Sequence, residues 1–132
     1  MKRSGILHAE LSGIVAAMGH GELLVIGDAG LPVPPGVPCV DLALTPGVPG
    51  FLETVATVLS ELVVERGLAN AEQPLAAAAA AASLEAAWPA GVPLERVAHA
   101  ELKRLSASAR AVVRTGEATP YCNIVLVAGV PF

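Results

Sequence analysis

Two alternating apolar patterns constrain the fold of this chain more than any other feature. Short continuous apolar runs, which are typical of buried strands, alternate with segments whose apolar residues recur at helical spacing. The predicted strands cover residues 23–27, 40–44, 63–69, 94–98, 111–114 and 124–127. The predicted helices run from Ser4 as N-cap to Gly19 as stop, and over residues 50–62, 74–87 and 101–108. This alternation predicts an α/β fold, namely a single three-layer α/β/α domain with a mainly parallel, Rossmann-like sheet.

Two segments of this pattern allow a second interpretation. Residues 63–69 could extend the preceding helix, although the Val63-Val64 pair favours a strand. Residues 74–87 contain seven consecutive alanines at 76–82, which form helices readily, and Pro74 suits a first helical turn. The same composition also fits a low-complexity insertion without functional weight.

The length of 132 residues suits one domain, and we see no linker or internal repeat, so we expect one domain over residues 1–132. Hydrophobic residues make up 54% of the chain, which excludes a disordered protein. Only one Trp, one Tyr and two Phe contribute to that fraction. The core must therefore be built from small side chains that pack closely.

Charge and hydropathy exclude several classes of partner. The net charge is −4 and no basic stripe is present, so we expect no nucleic-acid binding. The mean hydropathy of +0.63 suggests a membrane protein. However, the longest weakly polar run, 75–87, is interrupted by Ser83 and Glu85 and is shorter than the roughly 20 residues of a spanning helix. Polar residues near the N-terminus likewise interrupt any signal-peptide core.

The two cysteines, Cys39 and Cys122, form no close-spaced motif, so a disulfide framework is not expected. Their usage fits a reduced compartment. We therefore expect a cytoplasmic protein with no membrane partner, and its apolar composition suggests that some of its surface is buried between subunits.

Candidate functional side chains form two polar groups near predicted strand ends, where ligands bind in open α/β sheets. The first group comprises residues 19–22, between the first predicted helix and the first predicted strand, and residues 28–32, which follow that strand. The second group is the loop 114–123, and one further histidine follows the strand at 94–98. The candidates are His20, Asp28, His99, Tyr121, Cys122 and Asn123.

These side chains suit proton transfer and hydroxyl recognition. Imidazole titrates near neutrality, so His20 could both give and take a proton. Asp28 could accept a hydrogen bond from a hydroxyl, and Tyr121 and Asn123 offer the donors and acceptors that a polyhydroxylated ligand requires. By residue type alone, His20 also fits a plain residue at a helix C-terminus, and Asp28 fits a loop cap.

Three other kinds of site find little support. His8, His20 and His99 lack the close spacing of a zinc motif, so we expect no metal. Ser12 lies in a predicted helix without a Gly-x-Ser-x-Gly elbow, which makes an acyl-transfer triad remote. No glycine-rich segment has the pattern of a phosphate-binding loop.

Several strings of the sequence resemble the RbsD/FucU family of sugar mutarotases. The resemblance covers nearly the whole chain in order, and the last of these strings is highly specific. The strings are Lys2-Arg3-Ser4-Gly5-Ile6-Leu7, Gly19-His20-Gly21, Asp28-Ala29-Gly30-Leu31-Pro32-Val33-Pro34 and Arg114-Thr115-Gly116-Glu117-Ala118-Thr119-Pro120-Tyr121.

The resemblance implies an isomerase that interconverts the β-pyranose and β-furanose forms of D-ribose, with no metal or organic cofactor. It implies that His20 is the proton donor. The family's sugar contacts correspond to Asp28, His99, Tyr121, Cys122 and Asn123 in this sequence. Cys122 stands where the family commonly has Ala, so its contribution could come through the backbone. The resemblance also implies a homo-oligomeric ring, commonly a decamer of two pentamers, with sites near subunit contacts.

Three alternative functions remain open at this point. One is a mutarotase of another sugar such as fucose, although the string from Asp28 to Pro32 resembles the ribose branch of the family. Another is a sugar-binding module that has lost catalytic turnover, although the presence of the proton-donor residue His20 argues against it. The third is a purely structural ring-forming protein, which the polar loop residues disfavour.

Overall fold

The computed structural model describes residues 1–132 and contains one six-stranded sheet with helices on both faces. The strands are β1 (Leu23–Gly27), β2 (Cys39–Asp41), β3 (Val64–Asn70), β4 (Leu94–Val97), β5 (Ala111–Arg114) and β6 (Ile124–Ala128). The helices are α1 (Ala9–Ala17), α2 (Phe51–Leu59), α3 (Gln73–Ala76), α4 (Ala78–Ala87) and α5 (His99–Ser106). The longest helix, α4, has ten residues, and none combines the length and apolarity required to span a bilayer.

The sheet has the strand order β2-β5-β1-β6-β3-β4. Five strands run in one direction, and β6 is antiparallel to both of its neighbours, β1 and β3. The prediction of a mainly parallel sheet is therefore confirmed. Because β6 is reversed, it begins at the edge of the sheet where the other five strands end.

Alternate residues of the strands build two cores, one on each face of the sheet. Leu24 and Ile26 of β1 belong to the larger core, together with buried side chains of α1, α2 and α4. Val25 points to the smaller core, which it shares with Leu102 of α5. The three-layer α/β/α architecture expected from the sequence is thus confirmed, and it is built almost without aromatic side chains.

The first helix begins later than predicted, at Ala9 instead of just after Ser4. Its N-cap is His8, whose Nδ1 accepts a hydrogen bond from the Leu11 backbone N–H at 3.2 Å. The preceding segment is not helical, and a distant carboxylate binds it. Glu61 Oε1 accepts a 2.6 Å bond from the Ile6 N–H. The prediction of Ser4 as N-cap is therefore wrong. Ile6 and Glu61 are 55 positions apart in the sequence, so no local pattern indicates their contact.

The helix predicted at 74–87 is broken in two at Ala77, whose backbone has φ −148° and ψ 62°. The two parts make different contacts. The buried Gln73 side chain of α3 bonds to Arg96 of β4, whereas α4 buries Ala81 and Leu84 in the core. At the edge of the sheet, β2 is also shorter than predicted and ends at Asp41.

Candidate functional site

A cleft lies at the edge of the sheet where five strands end and β6 begins. Asp28 follows β1, Asn70 ends β3, and His99 begins α5 just after β4. Asn123 precedes β6, at the end of the loop that joins β5 to β6. Parallel strands bring their carboxyl ends to one edge, so residues far apart in sequence meet there.

The cleft has a volume of about 390 Å³, which lies within the range of small-molecule sites. It combines carboxylate, imidazole and phenol groups with small apolar side chains. Its lining residues are Asp28, Ala29, Gly30, Leu31, His99, Glu117, Ala118, Thr119, Pro120 and Tyr121. The structure thus brings Asp28, His99 and Tyr121, three of the candidates from the sequence, together at one cleft.

A continuous chain of hydrogen bonds joins Asp28 to His99 beneath the cleft. The Asp28 backbone N–H donates to Asn123 Oδ1 at 2.9 Å. Asn123 Nδ2 donates to Asp28 Oδ2 at 3.1 Å and to Asn70 Oδ1 at 2.9 Å. The same Asn70 oxygen lies 3.4 Å from His99 Nδ1. Asn123 is 1% exposed, so its side chain supports the cleft from below.

Asn70 was missed by the sequence analysis, although it occupies a central place in this chain. It is fully buried, and its Nδ2 group is the only buried side-chain polar atom in the protein without a hydrogen-bond partner. Leaving such a donor unpaired costs about 1–3 kcal/mol. The strand predicted at 63–69 ended one residue too early. Asn70 was therefore findable by the rule that identified Asp28, namely a polar residue at the carboxyl end of a strand.

Glu72 is a second residue that the sequence analysis missed. Its two carboxylate oxygens accept the His99 backbone N–H at 2.9 and 3.1 Å. This backbone hydrogen bond is the main cause of the lowered pKa of Glu72. A carboxylate at the start of α5 also satisfies one of the free N–H groups of that helix. Glu72 therefore fixes the position of the His99 backbone.

Tyr121 is held in an uncommon conformation at the mouth of the cleft. Its φ is 62°, and it is the only non-glycine residue of the protein with positive φ. Its ring meets the His99 ring edge to face, with centroids 5.3 Å apart. Such backbone conformations cost of order 1–3 kcal/mol and concentrate at functional sites. The strain is consistent with a ligand-binding role for the only tyrosine of the chain.

The most specific string of the sequence, 114–121, builds the wall of the cleft. Arg114 Nε donates to Ala29 O at 3.0 Å, and its Nη1 binds Asp41. Thr115 Oγ1 donates to Gly27 O at 2.8 Å, so it ties this loop to the end of β1. Gly116 passes directly against the backbone of residues 45–48.

Glu117 connects this wall to α2. Burial by itself raises the pKa of Glu117, but hydrogen bonds from Thr119, from the Phe51 N–H and from the Ala118 N–H outweigh it, so the pKa is lowered. Glu117 Oε2 lies 3.1 Å from the N–H of Phe51, the first residue of α2. The carboxylate therefore remains ionised and holds the loop against the start of that helix.

The Cys122 side chain is turned away from the cleft. It is 1% exposed in the larger core and accepts a 3.5 Å hydrogen bond from Gln73 Nε2. Burial raises the pKa of the thiol to about 11. Only the backbone of Cys122 is therefore available for a ligand in the cleft.

This burial sets an expectation for thiol chemistry. In the native protein at pH 8, we expect iodoacetamide to alkylate the exposed Cys39 and to leave Cys122 unmodified. With a pKa of about 11, only about a thousandth of the Cys122 thiol is ionised at that pH. Mass spectrometry of Cys39→Ser provides a matched control, which should gain one adduct only after unfolding. Native alkylation of Cys122 at the rate of Cys39 would contradict this arrangement.

His20 lies at the other edge of the sheet. Helix α1 ends at Ala17, and Gly21, with φ 80°, turns the chain into β1, so His20 stands before the amino end of that strand. Strand β1 alone separates it from Asp28 by roughly 13 Å, at about 3.3 Å per residue. The expectation that His20 joins Asp28 at one strand end is therefore wrong within a single chain.

The surroundings of His20 differ from those of the cleft residues. Its side chain is 62% exposed, and its Nε2 lies 2.7 Å from Glu65 Oε2 on β3. The imidazole is therefore oriented by a carboxylate and open to solvent or to another surface. Neither here nor at the cleft do three or more His, Cys, Asp or Glu side chains group as metal ligands.

Comparisons with known proteins place these features in context. The model of the RbsD / FucU transport protein family matches residues 1–131. The D-ribose pyranase of Variovorax paradoxus is 55% identical over 136 residues, and that of Paracidovorax citrulli is 51% identical over 134 residues. Both matches cover the whole of each chain.

Solved structures show the same fold. The structure of Bacillus subtilis RbsD complexed with D-ribose matches with a TM-score of 0.95 and 45% identity, covering 100% of each chain. The fucose mutarotase of Streptococcus pneumoniae in complex with L-fucose matches with a TM-score of 0.73. Its 18% identity, over 96% of this chain and 95% of its own, supports a common fold only.

Proposed function

Because this chain belongs to the RbsD/FucU family, we infer that it is an isomerase that interconverts the β-pyranose and β-furanose forms of D-ribose. The observation that carries the inference is the sequence identity of 51% and 55% to two D-ribose pyranases, over the full length of each chain. The cleft provides the matching chemistry, since Asp28, His99 and Tyr121 line one small cavity.

The reaction requires two proton transfers and no redox step. A base removes the proton of the anomeric hydroxyl, and the electron pair left on that oxygen forms the C1 carbonyl. The bond from C1 to the ring oxygen breaks, and its electron pair takes a proton from an acid. The open-chain aldehyde then closes through a different hydroxyl, with the acid and base roles reversed. Positioned acid and base groups supply about 10²–10⁴-fold each in such steps.

The residues of the cleft divide this work between recognition and proton transfer. We assign Asp28 to sugar hydroxyls, because Oδ1 and Oδ2 can accept hydrogen bonds at the cleft wall. Tyr121 contributes its phenol, and Asn123 and the Cys122 backbone complete the binding edge. His99 is the imidazole that lines the cleft, so we assign it to proton transfer at the anomeric hydroxyl.

His20 is the proposed acid, and its position argues for assembly. It lies at the opposite edge of the sheet from its own chain's cleft, and its exposed imidazole can reach a neighbouring molecule. We therefore propose that His20 of a second copy completes each site in a homo-oligomer. A decamer of two pentameric rings in the cytoplasm is the assembly that we propose. Apolar side chains available for subunit contacts include Leu44, 80% exposed, and Leu75, 95% exposed.

Exchange NMR of D-ribose tests this function directly. We expect the pyranose–furanose exchange rate to rise in proportion to protein concentration, and unfolded protein at equal concentration serves as the control. L-fucose provides the comparison that separates the ribose and fucose activities. If D-ribose exchange is unchanged while D-ribose still binds, the protein is a sugar-binding module. Faster exchange of L-fucose than of D-ribose would assign it to the other sugar.

A further inference from the structure

The hydrogen-bond chain beneath the cleft has one fixed end. The Asp28 backbone N–H can only donate, so the Asn123 atom that faces it must be the amide oxygen. The amide nitrogen of Asn123 then faces Asp28 Oδ2 and the side chain of Asn70. The Asn70 atom that accepts from it must therefore be oxygen.

This orientation determines where the proton of His99 sits. Asn70 Oδ1 can only accept, and it lies 3.4 Å from His99 Nδ1. A neutral imidazole carries one proton, and the hydrogen bond at one nitrogen decides which nitrogen holds it. The contact with Asn70 therefore favours the proton on Nδ1. His99 Nε2, which has no hydrogen-bond partner in the protein, then retains its lone pair.

We propose that Asn70 is a positioning residue that holds neutral His99 as its Nδ1–H tautomer, so that Nε2 is the base for the anomeric hydroxyl. The proposal rests on the proposed function for its substrate, but the tautomer itself does not. In the ring-opening step, Nε2 takes the hydroxyl proton and the ring becomes an imidazolium. Asn70 Oδ1 continues to accept from Nδ1 throughout, so the same contact also stabilises the charged product of proton transfer.

The unpaired nitrogen of Asn70 supports a functional role over a structural one. A buried amide that served stability alone would have both of its polar atoms paired, because each orphan group is costly. Here only the oxygen is paired, and both contacts of that oxygen lie in the chain that leads to His99. The role of Asn70 therefore depends on its Oδ1 atom, which links Asn123 to His99.

The tautomer is measurable in the protein without substrate. In ¹⁵N-labelled wild-type protein at pH 9, we expect the His99 shifts to show a protonated Nδ1 and an unprotonated Nε2. Asn70→Leu, which is similar in size and has no acceptor, should lose this preference. Asn70→Asp keeps an acceptor and should restore it. An unprotonated Nδ1 in the wild type would overturn the proposal whatever the activity of the protein.

Kinetics then separate positioning from packing. For Asn70→Leu we expect kcat of D-ribose exchange to fall roughly ten- to a hundredfold, with little change in KM, as for other orienting residues. Asn70→Asp at pH 9 should recover most of this loss. Ser106→Ala is the matched control, because Ser106 is also a buried polar residue but lies at the end of α5 away from His99, and it should leave kcat and the tautomer unchanged. An unaltered kcat in folded Asn70→Leu would exclude the positioning role.

Discussion

His20→Ala is expected to slow D-ribose exchange by about 10²–10⁴-fold, the usual contribution of a positioned acid. The cleft itself should remain intact, because the side-chain hydrogen bond of His20 is to Glu65, at the opposite edge of the sheet from the cleft. Binding of D-ribose should therefore persist, and the loss should appear in kcat. Exchange NMR and a binding titration measure the two quantities on the same sample.

His8→Ala provides the matched histidine control. His8 is exposed and caps α1 through Nδ1, so its removal should cost some stability, about 0.5–1 kcal/mol, and no activity. Wild-type rates in His20→Ala would remove this residue from the mechanism. If folded His8→Ala loses as much activity as His20→Ala, the effect is not specific to His20.

Mixed oligomers test whether two copies share each site. His20→Ala supplies an intact cleft, and Asp28→Ala supplies an intact His20, while neither chain carries both. If sites form between copies, a random equal mixture should recover about a quarter of wild-type activity, one half times one half. The mixture is prepared by co-expression and compared with the separate variants. Absence of recovery in a mixed oligomer of confirmed composition would assign each site to one chain.

Gly116→Ala is expected to destabilise the protein strongly. A Cβ at this position would press against the Val48 carbonyl and lie 2.7 Å from Thr45 O. Both are backbone atoms, and the contact cannot be relieved by rotating a side chain. Overpacking of this kind costs about 3 kcal/mol. For a domain of this size the corresponding fall in Tm is about 10 °C. Because residues 45–48 brace the wall of the cleft, exchange activity should fall as well.

Gly13→Ala is the matched control for this substitution. Gly13 lies within α1, and an added Cβ would meet no atom within 4 Å. Replacing a helical glycine with alanine stabilises by about 0.5–1 kcal/mol, so Tm should rise slightly. Thermal unfolding of both variants compares the same chemical change in two environments. Equal Tm values for the two variants would contradict the close approach at Gly116.

Local patterns predict the strands and helices of this protein well, and contacts between distant residues explain the exceptions. The continuous apolar run of β1 is visible in the sequence because both faces of that strand are buried. The start of α1 is not visible, because the hydrogen bond from the Ile6 N–H to Glu61, which is distant in sequence, holds residues before Ala9 outside the helix. The orientation of β6 is equally hidden, since an apolar run reads the same in both directions.

The site was predictable where it follows strand ends and obscure where it depends on turns or assembly. Asp28 and Asn123 were found because they adjoin β1 and β6, which the apolar pattern locates. His20 precedes β1 in the chain and therefore lies at the opposite edge of the sheet from Asp28, and no local pattern indicates whether a second copy brings it to a cleft. Asn70 was missed because the predicted strand ended at residue 69, one residue before the polar side chain that closes β3.

The reversed strand has a consequence for how the chain can fold. β6 is the last strand in chain order, yet it lies in the middle of the sheet, between β1 and β3. Without it, the earlier strands could form only two separate pieces, β2-β5-β1 and β3-β4. Hydrogen bonding across the whole sheet must therefore wait until residues 124–128 are available. The pairing of β6 with β1 and with β3 is then a late and cooperative event in folding. The same insertion brings Asn123 to the cleft, so completion of the sheet and completion of the cleft are one step.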